Sequence, residues 1–132
     1  MIFGIGTDIA KVSRFEKWVK NTDLTERFFA DEEQFTGSTE KSISAACQHY
    51  AARFAAKEAF AKALGTGFVG LSLKDFWVTK DENGKPFFSF GAATKEMLFS
   101  RAGECTVHLS LSHEKEYATA FVVIEKREKE AD

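Results

Sequence analysis

The stretch from residue 44 to residue 64 constrains the fold most, because it is a long run of strong helix formers. Gly65 follows it directly and stands at the C′ position, where helices commonly end. On a helical wheel, one side of this helix is apolar and carries Tyr50, Phe54, Ala61 and Leu64. We therefore expect one long helix, from about residue 44 to residue 64, to pack against the rest of the chain.

Charged residues border the apolar side of this helix instead of facing away from it. Glu58 follows Phe54 by four positions, and Lys62 follows Glu58 by four. One interpretation is an exposed ion pair, which is worth about 0.2–0.5 kcal/mol in this helical order. The other is a ligand site, because the Gly65-Thr66-Gly67 segment comes next and glycines let backbone amides approach phosphate oxygens.

Length and composition indicate one small domain over residues 1–132, of which 44% are hydrophobic and 29% charged. The net charge of −2 argues against nucleic acid as a partner, so an anionic ligand must meet a local basic patch. We expect no secretory leader, no membrane span and a cytoplasmic protein with two reduced cysteines. The charged tail, about 126–132, is expected to fray, and some of the 14 phenylalanines are expected to serve self-association.

Hydrophobic periodicity and turn signals predict an α+β fold with mostly antiparallel sheet. Asn83-Gly84 predicts a hairpin, and Asp31 with Gln34 predicts a capping box at the start of a short helix, 31–35. Residues 36–42 are predicted to be a loop. The remaining predicted helices are 12–21 and 93–103, and the predicted strands are 2–9, 71–80, 85–90, 106–112 and 116–125.

The first predicted strand carries Gly4, Gly6 and Asp8 on one face. Two glycines on one strand face indicate a close approach to the backbone, either by a ligand or by a tightly packed helix. Asp8 together with Glu58 and the nearby lysines fits Mg²⁺ and a diphosphate, because Mg²⁺ takes few protein carboxylates and keeps phosphate oxygens as ligands. Zinc would require more histidine or cysteine.

Four segments give the chain a resemblance to a known family. They are GIGTDI at 4–9, RFAAKEAFAKALGTG at 53–67, NGKPFF at 83–88 and LSLSHEKEYA at 109–118. In this order they resemble the holo-acyl-carrier-protein synthases, the short bacterial type of 4′-phosphopantetheinyl transferase. The segments extend over nearly the whole chain, and KEAFAKALGTG is the most specific of them.

The resemblance implies a trimer with active sites shared between subunits, and Mg²⁺-dependent transfer of phosphopantetheine from coenzyme A to a serine of apo acyl carrier protein. It implies that Asp8 and Glu58 bind the metal. It implies that coenzyme A is held by Lys62, Gly65, Thr66 and Gly67, with Arg53 or Lys57 helping from a neighbouring subunit, and by Pro86 and His113. The carrier protein would dock on the first helix through Arg14, Lys17 and Trp18, and Arg27 is a further candidate.

Several alternatives stay open at this level. The general base is Glu58 or His113, and Lys62 assists by neutralising charge; His113 could also lie in a loop without a chemical role. Trp18 could belong to the core, while His49 is expected on a helix surface and His108 on a strand. The first helix, KWVKNTD, has fewer basic residues than is common in the family, so the choice of docking residues stays open.

A non-catalytic coenzyme A-binding module and a coenzyme A-dependent acyltransferase are the competing functions.

Overall fold

The fold is built around one long helix, α3 (Glu40–Leu64), which lies across a three-stranded antiparallel sheet. The computed structural model describes residues 1–36 and 40–128. The sheet has β5 at its centre, because both other strands pair with it in antiparallel register. Its strands, in spatial order, are β1 (Ile2–Lys11), β5 (Tyr117–Lys126) and β4 (Cys105–His113).

A second, two-stranded sheet and three short helices complete the domain. The small sheet is the hairpin of β2 (Phe76–Lys80) and β3 (Pro86–Phe90). The helices are α1 (Glu16–Lys20), α2 (Thr22–Phe28) and α4 (Ala92–Ala102), with 3₁₀ turns at Val12–Phe15 and Asp31–Glu33. The predicted α+β class with antiparallel sheets is confirmed. In the described part of the chain, no helix has both the length and the apolarity to cross a membrane.

The backbones of β1 and α3 are in direct contact, which explains the two glycines on one strand face. A Cβ atom at Gly4 would lie 1.9 Å from the carbonyl oxygen of Ala63, and one at Gly6 would lie 1.8 Å from that of Ala59. Of the two interpretations of this face, tight helix packing is therefore the correct one. The alanines on the buried side of α3 allow the same close approach from the helix, since they have no larger side chain to hold the strand away.

Most predicted boundaries hold to within a few residues, but two elements differ. Helix α3 begins at Glu40, four residues before the predicted start, and the central part of the predicted loop, 37–39, lies outside the described residues. The predicted strand 71–80 begins only at Phe76. Asp75 stands at a turn instead, where its carboxylate accepts hydrogen bonds from the amide and hydroxyl of Thr94 and so caps the start of α4.

Two local signals in the first third of the chain were misread. Helix α2 was not among the predicted helices, although Asn21 caps it by accepting a hydrogen bond from the Asp23 amide. The capping box predicted for Asp31 and Gln34 is wrong. The Glu33 carboxylate accepts from the Ala30 amide instead, and Gln34 donates its side-chain amide to carbonyl groups of α2 and its C-cap residue, Phe29.

The charged tail is more ordered than predicted where it is described. Lys126 is the last residue of β5, and its amide donates to the Met1 carbonyl. The Arg127 amide donates to the Glu104 carbonyl. The rest of the predicted frayed segment, 129–132, lies outside the described residues.

A methyl group at Gly4 should separate β1 from α3. We expect Gly4→Ala to lower the free energy of unfolding by about 3 kcal/mol, because the added Cβ would overlap a backbone carbonyl that cannot rotate away. Urea denaturation measures this change. Thr7→Ala, at an exposed position of the same strand, is the control and should cost less than about 1 kcal/mol. Equal losses in the two variants would contradict the close-packing account.

Candidate functional site

The carboxylates of Asp8 and Glu58 meet beside the packed backbones of β1 and α3. Asp8 continues the strand face of Gly4 and Gly6, so its side chain points toward the helix. The two carboxyl groups share a hydrogen bond. The structure thus brings together two acids that lie fifty positions apart in the sequence.

Lys62 joins this pair from one turn further along α3. Its ammonium group lies 3.0 Å from Oδ1 of Asp8 and 3.0 Å from the carbonyl oxygen of Thr7. The Lys62 side chain is 55% exposed, whereas that of Asp8 is 11% exposed. The lysine is therefore accessible from solvent and the aspartate is enclosed behind it.

The electrostatics of the cluster favour a bound cation. Burial, the hydrogen bond to Asp8 and the negative charge of Asp8 together raise the pKa of Glu58 to about 7, while Arg14 and Lys62 oppose this shift. A raised carboxyl pKa means that the charged form is disfavoured in this position. A divalent cation between the two oxygens would remove that penalty, since it stabilises both carboxylates in their charged form.

The donor set fits Mg²⁺ or a similar hard cation. Asp8 and Glu58 offer carboxylate oxygens, which are the ligands that Mg²⁺ prefers. Among residues 1–36 and 40–128, no cluster of three or more His, Cys, Asp or Glu is arranged to hold a metal ion. Two protein carboxylates suit a metal whose other ligands are water and phosphate, and they do not suit a structural zinc site.

An open cleft of about 210 Å³ adjoins this cluster. Its lining consists of Glu58, Ala61, Lys62, Gly67 and Phe68. In the turn that follows α3, Gly65 and Gly67 have φ angles of 87° and 58°, which other residues rarely adopt. The amides of Gly65 and Thr66 donate to the Ala61 carbonyl, so the Gly67 amide is the one in this turn that suits a phosphate oxygen beside Lys62.

Arg101 supports the end of α3 at this cleft, and sequence reasoning did not identify it. Its Nε donates to the carbonyl of Leu64 at 2.9 Å, and its guanidinium lies against Gly65. Arg101 is in the last turn of α4, thirty-seven positions away. No local pattern connects the two helices, so this contact could be found only from the structure.

A second cavity, of about 340 Å³, lies between α3, the β2–β3 hairpin and the end of β4. Three predicted site residues line it: Arg53, Pro86 and His113. Nε of Arg53 is buried and has no hydrogen-bond partner among the described residues. A buried guanidinium nitrogen without a partner is costly, so an anionic group in the cavity would complete its hydrogen bonding.

Two further residues of this cavity, His49 and Lys80, were not predicted to belong to it. His49 was expected on the helix surface, but its ring packs against Phe35 and Tyr50 and donates from Nε2 to the Glu33 carbonyl. Burial and the charge of Arg53 lower the pKa of His49 to about 4, so the ring is neutral near pH 7. His108 lies on β4 as expected, 3.0 Å from Glu125.

The two cavities lie on different sides of α3, so one chain does not unite all the predicted site residues. Lys62 follows Arg53 by nine positions, which places it about 180° around the helix and about 13 Å along it. The described residues that line one cavity are all different from those that line the other. Each chain therefore presents two separate half-sites: Asp8, Glu58 and Lys62 form one, and Arg53, Pro86 and His113 belong to the other.

The assignment of Lys57 to a coenzyme phosphate is wrong. The side chain of Lys57 is fully buried and forms an ion pair of 2.7 Å with Glu33, which is also fully buried. Its ammonium group donates in addition to the carbonyl oxygens of Leu73 and Phe76. Burial lowers the pKa of Lys57, and the Glu33 carboxylate opposes that shift. Because all three of its N–H donors are used inside the fold, Lys57 cannot reach a ligand.

The predicted docking residues divide into a partly buried ring and exposed charges. Trp18 is partly buried and packs against the core through a group of aromatic rings, so its role in docking stays a prediction; the rings are Phe15, Phe28, Phe29 and Phe54. Arg14 and Lys17 are exposed, and the Arg14 guanidinium lies 5.2 Å from the Phe54 ring centroid. Arg27 is exposed on α2, against Phe28.

Comparisons with known proteins identify the family to which the chain is similar. A model of the 4′-phosphopantetheinyl transferase superfamily matches residues 4–122. The chain is 48% identical to a holo-[acyl-carrier-protein] synthase of Treponema denticola over 126 residues, which are 95% of this chain and 99% of that protein.

Two solved structures are similar over nearly the full length. A holo-[acyl-carrier-protein] synthase from Neisseria meningitidis superposes with a TM-score of 0.78 at 37% identity, with 96% of this chain and 100% of that one covered. The corresponding protein from Bacillus anthracis, in complex with CoA (3′,5′-ADP), gives a TM-score of 0.76 at 37% identity and covers 96% of this chain and 99% of that one.

The raised pKa of Glu58 predicts a dependence of stability on pH. Between pH 4.5 and 7 the folded protein keeps a proton on Glu58 that the unfolded chain releases, so this group makes the fold less stable as the pH rises through that window. Glu58→Gln should remove this contribution. Thermal unfolding in the presence of EDTA at pH 5, 6, 7 and 8 should show wild type losing stability relative to Glu58→Gln as the pH rises.

Glu96→Gln, on the exposed surface of α4, is the control for this measurement and should follow wild type at every pH. A constant difference between wild type and Glu58→Gln from pH 5 to 8 would show that Glu58 titrates normally.

Proposed function

Because the chain belongs to the 4′-phosphopantetheinyl transferase superfamily, we propose that it transfers the 4′-phosphopantetheine group of coenzyme A to a serine of apo acyl carrier protein. The products are holo acyl carrier protein and adenosine 3′,5′-bisphosphate. The observation that carries the proposal is the meeting of Asp8, Glu58 and Lys62 beside an open cleft. That cluster has the charges which phosphoryl transfer requires. The chain that carries it is similar over nearly its full length to proteins named holo-[acyl-carrier-protein] synthase.

Asp8 and Glu58 would hold Mg²⁺, which, when bound, neutralises charge on the diphosphate and on the leaving bisphosphate. The ammonium group of Lys62 would leave Asp8 and bind a phosphate oxygen, because the long, exposed side chain can turn toward the cleft. In the segment from Gly65 to Gly67, the amide of Gly67 and the hydroxyl of Thr66 would donate to further phosphate oxygens, because the amides of Gly65 and Thr66 already donate to the Ala61 carbonyl.

Glu58 is the preferred general base for the serine hydroxyl. Its carboxylate lines the open cleft beside Lys62, where the diphosphate would lie, so it could reach the serine hydroxyl there. His113 is the alternative base, and its exposed place at the end of β4 also suits contact with the coenzyme. Of these two side chains, the one that faces the serine would accept the proton of its hydroxyl group.

Arg53, Pro86 and His113 would hold the nucleotide part of coenzyme A in the larger cavity. The unpartnered nitrogen of Arg53 supports an anionic group there, and Lys80 adds positive charge. Phe35 and Pro86 supply apolar surface for a planar base. Because the coenzyme would then touch both half-sites, they must come from different subunits.

The outer face of the large sheet supports self-association into a trimer. Ile5, Ile9 and Phe121 lie on this face and are 62%, 61% and 55% exposed, although strands of a monomeric domain seldom leave such residues in water. A closed threefold assembly through this face would bury them and could bring the acidic half-site of one subunit to the nucleotide half-site of the next.

The carrier protein would approach α1, α2 and the 3₁₀ turn that precedes α1. Arg14, Lys17 and Arg27 are exposed there, and acyl carrier proteins are acidic, so these charges would steer the encounter. Trp18 would support the surface from beneath and contribute little direct contact. The cytoplasm is the expected location, in keeping with the free thiols of Cys47 and Cys105.

The metal and base roles of Glu58 can be tested together. Glu58→Gln should lower the transfer rate by about 10²-fold or more and weaken Mn²⁺ binding, measured by electron paramagnetic resonance without coenzyme A, by at least about tenfold. Transfer is followed as the gain of one phosphopantetheine unit in the mass of the carrier protein. Glu96→Gln is again the control, and full turnover in Glu58→Gln would remove Glu58 from both roles.

The same mass measurement on wild type decides between the competing functions. A non-catalytic coenzyme A-binding module would leave every carrier protein unmodified. An acyltransferase would move the acyl group alone, so a thioether analogue of acyl coenzyme A would not react. A phosphopantetheinyl transferase modifies the carrier with that analogue as well, because the bond broken is in the diphosphate.

A charge on the outer sheet face should dissociate the assembly and stop the reaction. We expect Phe121→Glu to be a folded monomer in sedimentation velocity, with transfer activity reduced by more than about 10²-fold because each half-site loses its counterpart. Phe99→Glu, which changes an equally exposed phenylalanine on α4, should remain a trimer with normal activity. A fully active Phe121→Glu monomer would contradict the shared site.

A further inference from the structure

A buried ion pair with no part in the proposed reaction connects α3 to the walls of the nucleotide cavity. Lys57 and Glu33 are both fully buried and lie 2.7 Å apart. Removing two charges from water is expensive, and apolar residues of similar size often stabilise a core equally well. The pair therefore needs an explanation beyond stability.

The hydrogen bonds of the pair are directed at the backbone of three other segments. Lys57 donates to the carbonyl oxygens of Leu73, in the loop before β2, and of Phe76, at the start of β2. The Glu33 carboxylate accepts from the amides of Ala30 and of Val78, at 3.1 and 3.0 Å. These bonds hold β2 in one orientation relative to α3, because each fixes both a distance and an angle.

The elements held in this way carry the cavity lining. Lys80 is two residues beyond Val78 on β2 and pairs with Pro86 of β3, and both line the cavity. Glu33 also reaches the cavity through its own carbonyl, which accepts the hydrogen bond from Nε2 of His49. Glu33 therefore positions one side of the cavity in two ways. It bonds His49 directly, and it holds the residues of the hairpin through β2.

We propose that Glu33 and Lys57 are positioning residues, which set the distance between the β2–β3 hairpin and helix α3 and thereby the affinity for the nucleotide part of coenzyme A. This inference rests on the proposed placement of the nucleotide in that cavity. The pair touches no ligand itself and has no role in the transfer step. Its effect is on binding, because the hairpin contacts the nucleotide and the acidic half-site performs the chemistry.

The double variant Glu33→Leu, Lys57→Met tests the proposal, because it removes both charges and leaves no buried charge unpaired. It should lose some stability, because the four backbone groups that the pair bonds lose their partners, and Leu98→Ala is the matched control for that loss. We expect KM for coenzyme A to rise about tenfold with kcat and KM for the carrier protein unchanged. Direct binding of adenosine 3′,5′-bisphosphate, measured by isothermal titration calorimetry, should weaken by the same factor.

Two comparison variants make the result specific. Leu98→Ala, in the buried part of α4 and away from the cavity lining, should lower the midpoint of thermal unfolding and leave KM for coenzyme A unchanged. Glu33→Gln replaces the double variant if the latter does not fold. It places an amide N–H₂ against backbone donors or Lys57 and should raise KM for coenzyme A in the same way.

Arg53→Met separates failure of the inference from failure of the proposed site. If Arg53→Met raises KM for coenzyme A and the pair variants do not, the cavity binds the nucleotide but Glu33 and Lys57 do not position it. If Arg53→Met has no effect either, the cavity is not the nucleotide site and both proposals fall. An equal rise in KM in Leu98→Ala would also overturn the inference, because general loosening would then account for it.

Discussion

The direct contact between the backbones of β1 and α3 is the interaction on which the candidate site depends. Gly4 and Gly6 bring the strand within van der Waals distance of the Ala59 and Ala63 carbonyls. With any larger side chain between them, strand and helix would stand further apart, and Asp8 could not share a hydrogen bond with Glu58. A packing requirement with no chemistry of its own thus creates the acidic pair. The raised pKa of Glu58 follows first from burial and then from the nearness of Asp8.

The same helix organises both half-sites by its length and its faces. Its C-terminal turns carry Glu58 and Lys62 toward β1, and its middle carries Arg53 into the other cavity, on the opposite side. A rigid helix keeps these groups apart within one chain, so a ligand that needs both sets requires two chains. The exposed apolar face of the large sheet is the surface through which such an association would be favourable.

Sequence reasoning was most successful where the signal was local or periodic. The long helix, the hairpin after β2 and the antiparallel class follow from patterns within ten to twenty residues. Helix α2 was missed although its cap, Asn21, was visible. The assignment of Lys57 failed for another reason. The sequence pattern of a lysine among alanines is the same whether the lysine contacts a ligand or a buried carboxylate. Glu33, the carboxylate that pairs with Lys57, is twenty-four positions away in a 3₁₀ turn.

The sequence by itself determined the family and most of the order of elements, because these depend on residue types at short spacings. It also pointed to Asp8 and Glu58, through a glycine-lined strand face, a charged border on a helix and the family resemblance, although fifty positions separate the two. The tertiary structure alone decided which lysine is accessible and which is enclosed, that Arg53 lacks a partner among the described residues, and that the predicted site is divided between two cavities. The physical reason is that burial and pairing arise between segments distant in the chain, and helical or strand periodicity carries no information about which distant segment will supply the partner.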